Sequence, residues 1–423
     1  MRKEHDFLGE KLVPDEVYYG VQTMRAMENF QITGAQLDPD FIQSMAVVKK
    51  ASCLTNLKTG RMDPVIGDAI IRAADEIIEG KLLDQFPLDP IQGGAGTSVN
   101  MNMNEVLCNR ALELLGYPKG RYDIISPNNH ANMAQSTNDV FPTSIKVCLV
   151  RKAYRLMDAL SSMARGFDEK GEAFKDVIKM GRTHLQDAVP ITLGEEMESY
   201  AVAVRRGIRR ISLSLSSLEA LNMGGTAVGT GLNAEPEYIR LFPEILSRLT
   251  GFSFKTADNL IDTTNTTDCF ADVSGALKVV SLSLIKIAND IRLMASGPRC
   301  GLNELKVPAR QPGSSIMPGK VNPVIAEAYD LIQKAAARTD GLSGLESGFT
   351  KLDKMTSGWQ NSDLIIIAAR PAMGKTAFVL SMAKNIAVNF RNPVALFSLE
   401  MSNVQLVNLS LIHISEPTRL LSI

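Results

Sequence analysis

Gly313-Ser314-Ser315-Ile316-Met317-Pro318-Gly319-Lys320-Val321-Asn322 puts two glycines, a proline, paired hydroxyls, a lysine and an amide into ten positions. Glycine and proline fix turn geometry and deny the segment a regular helix or strand, so it reads as a loop. A plain connector between two helices has a similar composition, with its Ser and Asn side chains spending their hydrogen bonds on local turns. Which reading holds depends on whether the chain carries further polar clusters for this loop to work with.

The chain has 423 residues, 45 Lys and Arg against 46 Asp and Glu, and a net charge of -1. That length suggests about three domains, and the balanced charge gives no global field for nucleic acid or an anionic membrane. Cys53, Cys108, Cys148, Cys269 and Cys300 are scattered, with no Cys-x-x-Cys and no His at metal spacing. They read as reduced structural thiols, and no metal site is expected. Charges run through residues 1–20, and no stretch of eighteen apolar residues occurs, so export and membrane spanning are not expected and the cytoplasm is the expected compartment.

Four compositional segments follow. Residues 1–142 mix short helical patterns with turns and hold Gly93-Gly94-Ala95-Gly96-Thr97-Ser98, which suggests a mostly helical N-terminal domain. Residues 143–325 are dominated by long helices. Val273, Leu277, Val280, Leu284, Ile287, Ile291 and Met294 recur at steps of four and three, and Val150, Ala153, Met157, Leu160, Ala164 and Phe167 repeat that spacing. Such stripes predict the seams of a helical bundle. Residues 326–408 and 409–423 differ in kind.

The further polar clusters are Gly96-Thr97-Ser98-Val99-Asn100-Met101-Asn102, Gln135-Ser136-Thr137-Asn138-Asp139 and Gly181-Arg182-Thr183-His184-Leu185-Gln186-Asp187. Singly, Ser-Thr-Asn before a helix is most often an N-cap and a lone His a structural residue. In this order, and with Gly313 to Asn322, they resemble the motif set of the aspartase/fumarase superfamily. The ammonia-lyase branch is the nearer one, on Tyr18-Tyr19-Gly20-Val21-Gln22-Thr23, Glu28-Asn29-Phe30, Asp84-Gln85-Phe86-Pro87 and Gly93 to Ser98; fumarate hydratase is the alternative. The resemblance runs from Met1 to about Val324 and implies a mainly α fold, a long-helix bundle that is here truncated.

It also implies the chemistry. Taking a proton from the carbon beside the substrate's β-carboxylate builds an aci-carboxylate dianion, which calls for many donors that tighten as charge grows. By resemblance Ser314 is the base, on a glycine-hinged loop, with Lys320 the nearest cation to lower its pKa. Lys320, Asn322 and Thr183 would hold the α-carboxylate; Thr97, Asn138 and His184 the amino group; Ser136, Thr137, Thr97 and Ser315 the β-carboxylate. The substrate pair implied is L-aspartate and fumarate, no cofactor is required, and the implied partner is the chain itself, as a homotetramer whose sites each draw on three copies.

After Val324 the pattern breaks. An apolar run Leu364-Ile365-Ile366-Ile367 leads into Ala369-Arg370-Pro371-Ala372-Met373-Gly374-Lys375-Thr376, a phosphate-loop pattern with Ala369 in place of the first glycine. Gly374, Lys375 and Thr376 would bind the phosphates and Mg²⁺ of ATP. Val394 to Phe397 and Ser398-Leu399-Glu400-Met401 complete a resemblance to the start of the ATPase domain of DnaB-type replicative helicases, in which Glu400 would polarise water. A sheet cut to its first strands cannot cover both faces of a parallel core, so little hydrolysis and no nucleic-acid binding are expected. Leu409 to Arg419 resembles the translation of a transposon-end adapter. The whole is expected to be a chimera: a lyase by descent, inactive and prone to association through its unpaired bundle seam.

Overall fold

The computed structural model describes residues 1–297, 299–308, 311–312, 321–322, 347, 349, 375–390 and 394. Two compact units divide it, Met1–Ile291 and Arg292–Ile423.

The first unit opens with a hairpin, β1 (Arg2–Asp6) against β2 (Gly9–Val13), and α1 (Val21–Asn29). α2 (Pro39–Lys58) and α3 (Pro64–Ile78) start the same way: an aspartate accepts the orphan amides of the first turn and a proline follows where no N–H is needed. Asp38 takes the Asp40 amide at 2.9 Å, and Asp63 the Val65 and Ile66 amides at 2.9 and 3.1 Å. α4 (Thr97–Leu114) packs on them around buried Ala46, Ala73, Ile77, Met103, Val106 and Leu107.

α1 has no cap of its own; Glu105, fully buried on α4, supplies one. It accepts the Gly20 and Gln22 amides at 2.8 Å each, the Thr23 amide at 3.2 Å and the Thr23 hydroxyl at 2.6 Å. Gly20 is required here, since a Cβ would sit 2.5 Å from Glu4 Oε2 and 2.6 Å from the Tyr122 hydroxyl. The Tyr18 to Thr23 segment is therefore held by a buried carboxylate, and burial pushes that carboxyl up to about 7 despite its donors.

α5 (Thr137–Ala173) is the spine. It carries the Val150 to Phe167 stripe and has Pro142 inside its first turns. Proline has no N–H for the carbonyl four residues back, and that carbonyl, Asn138 O, takes Asn222 Nδ2 at 2.9 Å instead. The device recurs in α7 (Pro236–Thr250), where Pro243 frees Ile239 O and the Thr256 hydroxyl donates to it at 3.1 Å.

After α5 the chain forms a second hairpin, β3 (Ile178–Thr183) and β4 (Gln186–Thr192), and returns as α6 (Leu193–Ser214) along α5. Short strands β5 (Ala220–Leu221) and β6 (Lys255–Thr256) pair in parallel on either side of α7, and α8 (Leu260–Asn265) leads to α9 (Asp268–Met294). The seams are where the spacing put them: Val150, Ala153, Met157, Leu160 and Ala164 on α5 and Val273, Val280 and Ile287 on α9 are buried. Gly207 of α6 admits Val280 so closely that a Cβ there would lie 3.1 Å from its methyl. α9 also shows an outer apolar face, with Val279, Leu282 and Ile285 at 40, 57 and 56% exposure. All five cysteines are free thiols. Among the described residues no helix is long and apolar enough to cross a membrane.

In the second unit β7 (Gln311–Pro312) pairs antiparallel with β8 (Val321–Asn322), a ladder that brackets residues 313–320. A helix α10 (Lys375–Lys384) opens at the lysine of the phosphate-loop pattern, and Phe349 stacks on Phe378 at 4.7 Å. The strands expected at 364–367 and 394–397, and the 409–423 tail, lie outside the described residues apart from Val394.

Candidate functional site

Three polar elements converge at the N-terminal end of α5. The first is the glycine turn ahead of α4. Gly94, Ala95 and Gly96 take φ of 85, 52 and 90°, a left-handed run that delivers Thr97 to the helix start. At Gly96 no side chain is tolerated: a Cβ would fall 2.3 Å from the Phe141 ring. No side chain caps this helix; the exposed Thr97 turns its amide and its hydroxyl back to Gly94 O, at 3.1 and 2.7 Å.

The second is the start of α5 itself, a capping box in which Ser136 and Asp139 satisfy each other's amides. Asn100 Nδ2, one turn into α4, donates to the Thr137 hydroxyl at 3.1 Å and so joins the two helix starts. The third is the glycine-rich loop after β5. Asn138 Nδ2 donates to Ala227 O at 2.7 Å, and Asp139 accepts the Gly224 and Thr226 amides at 3.2 and 3.1 Å. With Asn138's NH2 turned to that carbonyl, its Oδ1 is left as the acceptor. Burial raises the Asp139 carboxyl to about 6, against three backbone donors that favour the ion.

Behind these lies Lys49 of α2, fully buried, its Nζ 3.0 Å from Asn132 Oδ1 and 2.9 Å from Gln135 Oε1. Burial pulls its ammonium down to about 7, with Asp139 the charge that opposes this. Thr97, Ser136, Thr137 and Asn138 are thus assembled on one rigid, polar-cored base. Lys49, Asn132 and the Gly224–Leu232 loop were missed from the sequence. Gly224-Gly225-Thr226-Ala227-Val228-Gly229-Thr230-Gly231 carried a readable signal, the same small and hydroxyl composition as the other clusters, but nothing local marks Lys49 out from Lys50.

Thr183 and His184 are elsewhere. They form the exposed tip of the β3–β4 hairpin, where His184 and Leu185 take φ of 49 and 62°. α5 has 37 residues, about 55 Å of helix, and the hairpin follows its far end. Folded straight back, six strand residues span only about 20 Å. Within one chain more than about 30 Å therefore separates His184 from Thr137, and a single copy cannot bring them together. Ser314, Ser315, Lys320, Gly374 and Glu400 lie outside the described residues, as do the side chains of Asn322, Lys375 and Thr376. Among the described residues no cluster of three or more His, Cys, Asp or Glu could hold a metal.

Comparison with known proteins bears on both halves of the chain. The lyase family matches residues 9–339, and the DnaB-like helicase C terminal domain matches residues 344–418. An aspartate ammonia-lyase from Bacillus sp is 55% identical over 332 residues, 78% of this chain and 71% of that protein. The structure of a fumarate lyase:delta crystallin from Brucella melitensis, bound to cobalt, superposes with a TM-score of 0.75 at 41% identity, over 90% of this chain and 80% of the other. A class II fumarase from Schistosoma mansoni gives 0.75 at 36% identity, over 79% and 73%.

Proposed function

The chain belongs to the lyase family through residues 9–339, and from that premise we propose that this segment is built for the reversible elimination of ammonia from L-aspartate to give fumarate. The observation that carries the reading is the base at the start of α5: the Asn100–Thr137 hydrogen bond joins the starts of α4 and α5, which gathers the Thr97, Ser136 and Thr137 hydroxyls and the Asn138 amide at one end of the helix pair. Helix N-termini and hydroxyl donors suit a carboxylate whose charge grows during proton removal. Asn138 Oδ1, an acceptor because its NH2 is committed to Ala227 O, suits an ammonium group, which can only donate. The identity to an aspartate ammonia-lyase, 55%, exceeds that to the class II fumarase, 36%, so hydration of fumarate is the lesser reading.

His184 and Thr183 reach such a base only from another copy, which supports a homo-oligomer with composite sites; a tetramer is our proposal. Ser314 as the base, Lys320 and Asn322 on the α-carboxylate, and Ser315 on the β-carboxylate complete the assignment. No metal or organic cofactor enters it. For the helicase-like segment we propose at most ATP binding with Mg²⁺ through Gly374, Lys375 and Thr376, with Glu400 inert, and a cytoplasmic location for the whole. The lyase match covers 71% of the length of the Bacillus sp relative, and turnover by this chain is expected to be slight or absent.

The test adds L-aspartate or L-malate to the full chain and follows fumarate absorbance, with thermal stabilisation by fumarate read in parallel. Stabilisation by fumarate, with any rise confined to L-aspartate, supports the reading. A rise from L-malate alone gives the site to the hydratase, and a flat trace without stabilisation sinks the proposal for this chain.

A further inference from the structure

Lys49 is fully buried, yet among the described residues it donates to no carboxylate; both its hydrogen-bond acceptors there are side-chain amides. Each amide is nailed at its other end. Gln135 Nε2 donates to Ala131 O and Met133 O, both at 3.1 Å, and Asn132 Nδ2 donates to Gln135 O at 3.3 Å. Asn132 Oδ1 also accepts Asn100 Nδ2 at 3.1 Å and Asn104 Nδ2 at 3.3 Å, and Asn100 Nδ2 continues to the Thr137 hydroxyl.

A chain of amides can run in either direction, because turning each one by half a revolution exchanges donor and acceptor. A lysine at one end biases the choice, since its ammonium has three protons and no lone pair. The orientation it favours carries a cost: Asn100 Oδ1 and Asn104 Oδ1 are buried without a hydrogen-bond partner among the described residues. Reversed, Asn100 would present Oδ1 to Thr137 and draw the hydroxyl proton inward. As observed, Thr137 Oγ1 accepts from Asn100, and its own proton is left to point out of the helix start.

We infer that Lys49 is a positioning residue for the dicarboxylate site, setting the polarity of the Asn132–Asn100 relay so that the Thr137 hydroxyl is an obligate donor toward the substrate's carboxylate. This rests on the reading of the α5 start as a carboxylate site. The Gln135 carbonyl favours the same sense through Asn132 Nδ2, but the reverse sense would give the buried Asn100 and Asn104 Oδ1 atoms their donors, and Lys49 tips the balance.

The test is a double-mutant cycle in the full chain, with fumarate affinity as the readout and melting temperature alongside. Thr137→Val is expected to weaken fumarate binding about tenfold, the loss of one hydrogen bond to a charged acceptor. Lys49→Met should fall within about threefold of that value, and the double variant should be no more than about threefold weaker than Thr137→Val alone. Losses that multiply to about a hundredfold, or a Lys49→Met chain that binds as the parent does, would overturn the inference. Should Lys49→Met fail to fold, Asn100→Ala cuts the same relay and must show the same non-additivity. A parent that binds no fumarate counts against the site reading, not this one; crystal structures then decide, and unchanged Asn100 and Thr137 side chains in Lys49→Met would refute the positioning role.

Discussion

The two ends of α5 are built on opposite principles. At its start the backbone is held by side chains: Ser136 and Asp139 cap each other, Asp139 clamps the Gly224 and Thr226 amides, and Asn222 replaces the hydrogen bond that Pro142 cannot make. Past its other end Thr183 and His184 stand on an exposed two-residue turn with left-handed backbone at His184 and Leu185. One end is preorganised by its own chain, while the other is exposed among the described residues, and in the composite site proposed above it docks on another copy. Composite sites divide labour in this way, because a base that must hold charge needs a dry polar core and a reaching group needs freedom to dock.

Asp139→Ala should show the contrast most strongly. It strands three backbone donors and removes the charge facing Lys49, for about 3–5 kcal/mol in denaturant-induced unfolding. His184→Ala should change stability by no more than about 0.5 kcal/mol, as exposed positions do. Equal costs would break the comparison.

Acidity separates the ends as well. Burial raises Glu105 from its ordinary 4.5 to about 7 and Asp139 from 3.8 to about 6. A group whose pKa is raised on folding stabilises the fold while protonated, so this contribution is full below about pH 4 and is lost as pH climbs through 6 to 7. Lys49 runs the other way, with a folded pKa lowered from 10.5 to about 7, so stability recovers between pH 7 and 10. Calorimetry should find a shallow minimum in melting temperature near neutrality. Glu105→Gln should remove on the order of 2–3 kcal/mol of the acid-side slope, and a flat profile in the parent would show that water reaches these groups.

How far the sequence could be read follows from the same division. The bundle seams were legible because Val273, Val280 and Ile287 repeat at a spacing that geometry enforces. The hydroxyl clusters were legible because order and composition together are rare. The tolerance of Pro142 inside α5 was illegible, because only the distant Asn222 supplies the donor that the proline lacks. Lys49 was illegible for a related reason: its meaning comes from Asn132 and Gln135, more than eighty residues away, and no local pattern encodes a contact at that range.

Asn222→Ala tests that long-range repair at intermediate cost. Leaving Asn138 O without a donor should destabilise by about 1–2 kcal/mol. Pro142→Ala restores the helix amide, so the double variant should lose less than Asn222→Ala alone. Additive losses would mean that Asn222 acts elsewhere, and Thr264, whose hydroxyl lies 3.0 Å from its Nδ2, is the place to look.

The smallest effect is expected at the hairpin tip, and its sign matters more than its size. A two-residue turn with both φ angles positive favours Asn-Gly, since side chains beyond Asn strain in the left-handed region by about 1 kcal/mol. This turn carries His184 and Leu185 instead, at φ 49 and 62°. Replacing them with His184→Asn and Leu185→Gly should raise stability by about 0.5 kcal/mol, part of the relief being offset by the entropy of the new glycine. The same pair should abolish any fumarate-dependent stabilisation if, as proposed, the imidazole reaches the site of a neighbouring copy. A more stable hairpin with no ligand response marks the strain as the cost of a group held ready for another chain. A less stable one would show that His184 and Leu185 already make contacts within their own copy, and the contrast between the two ends of α5 would then be lost.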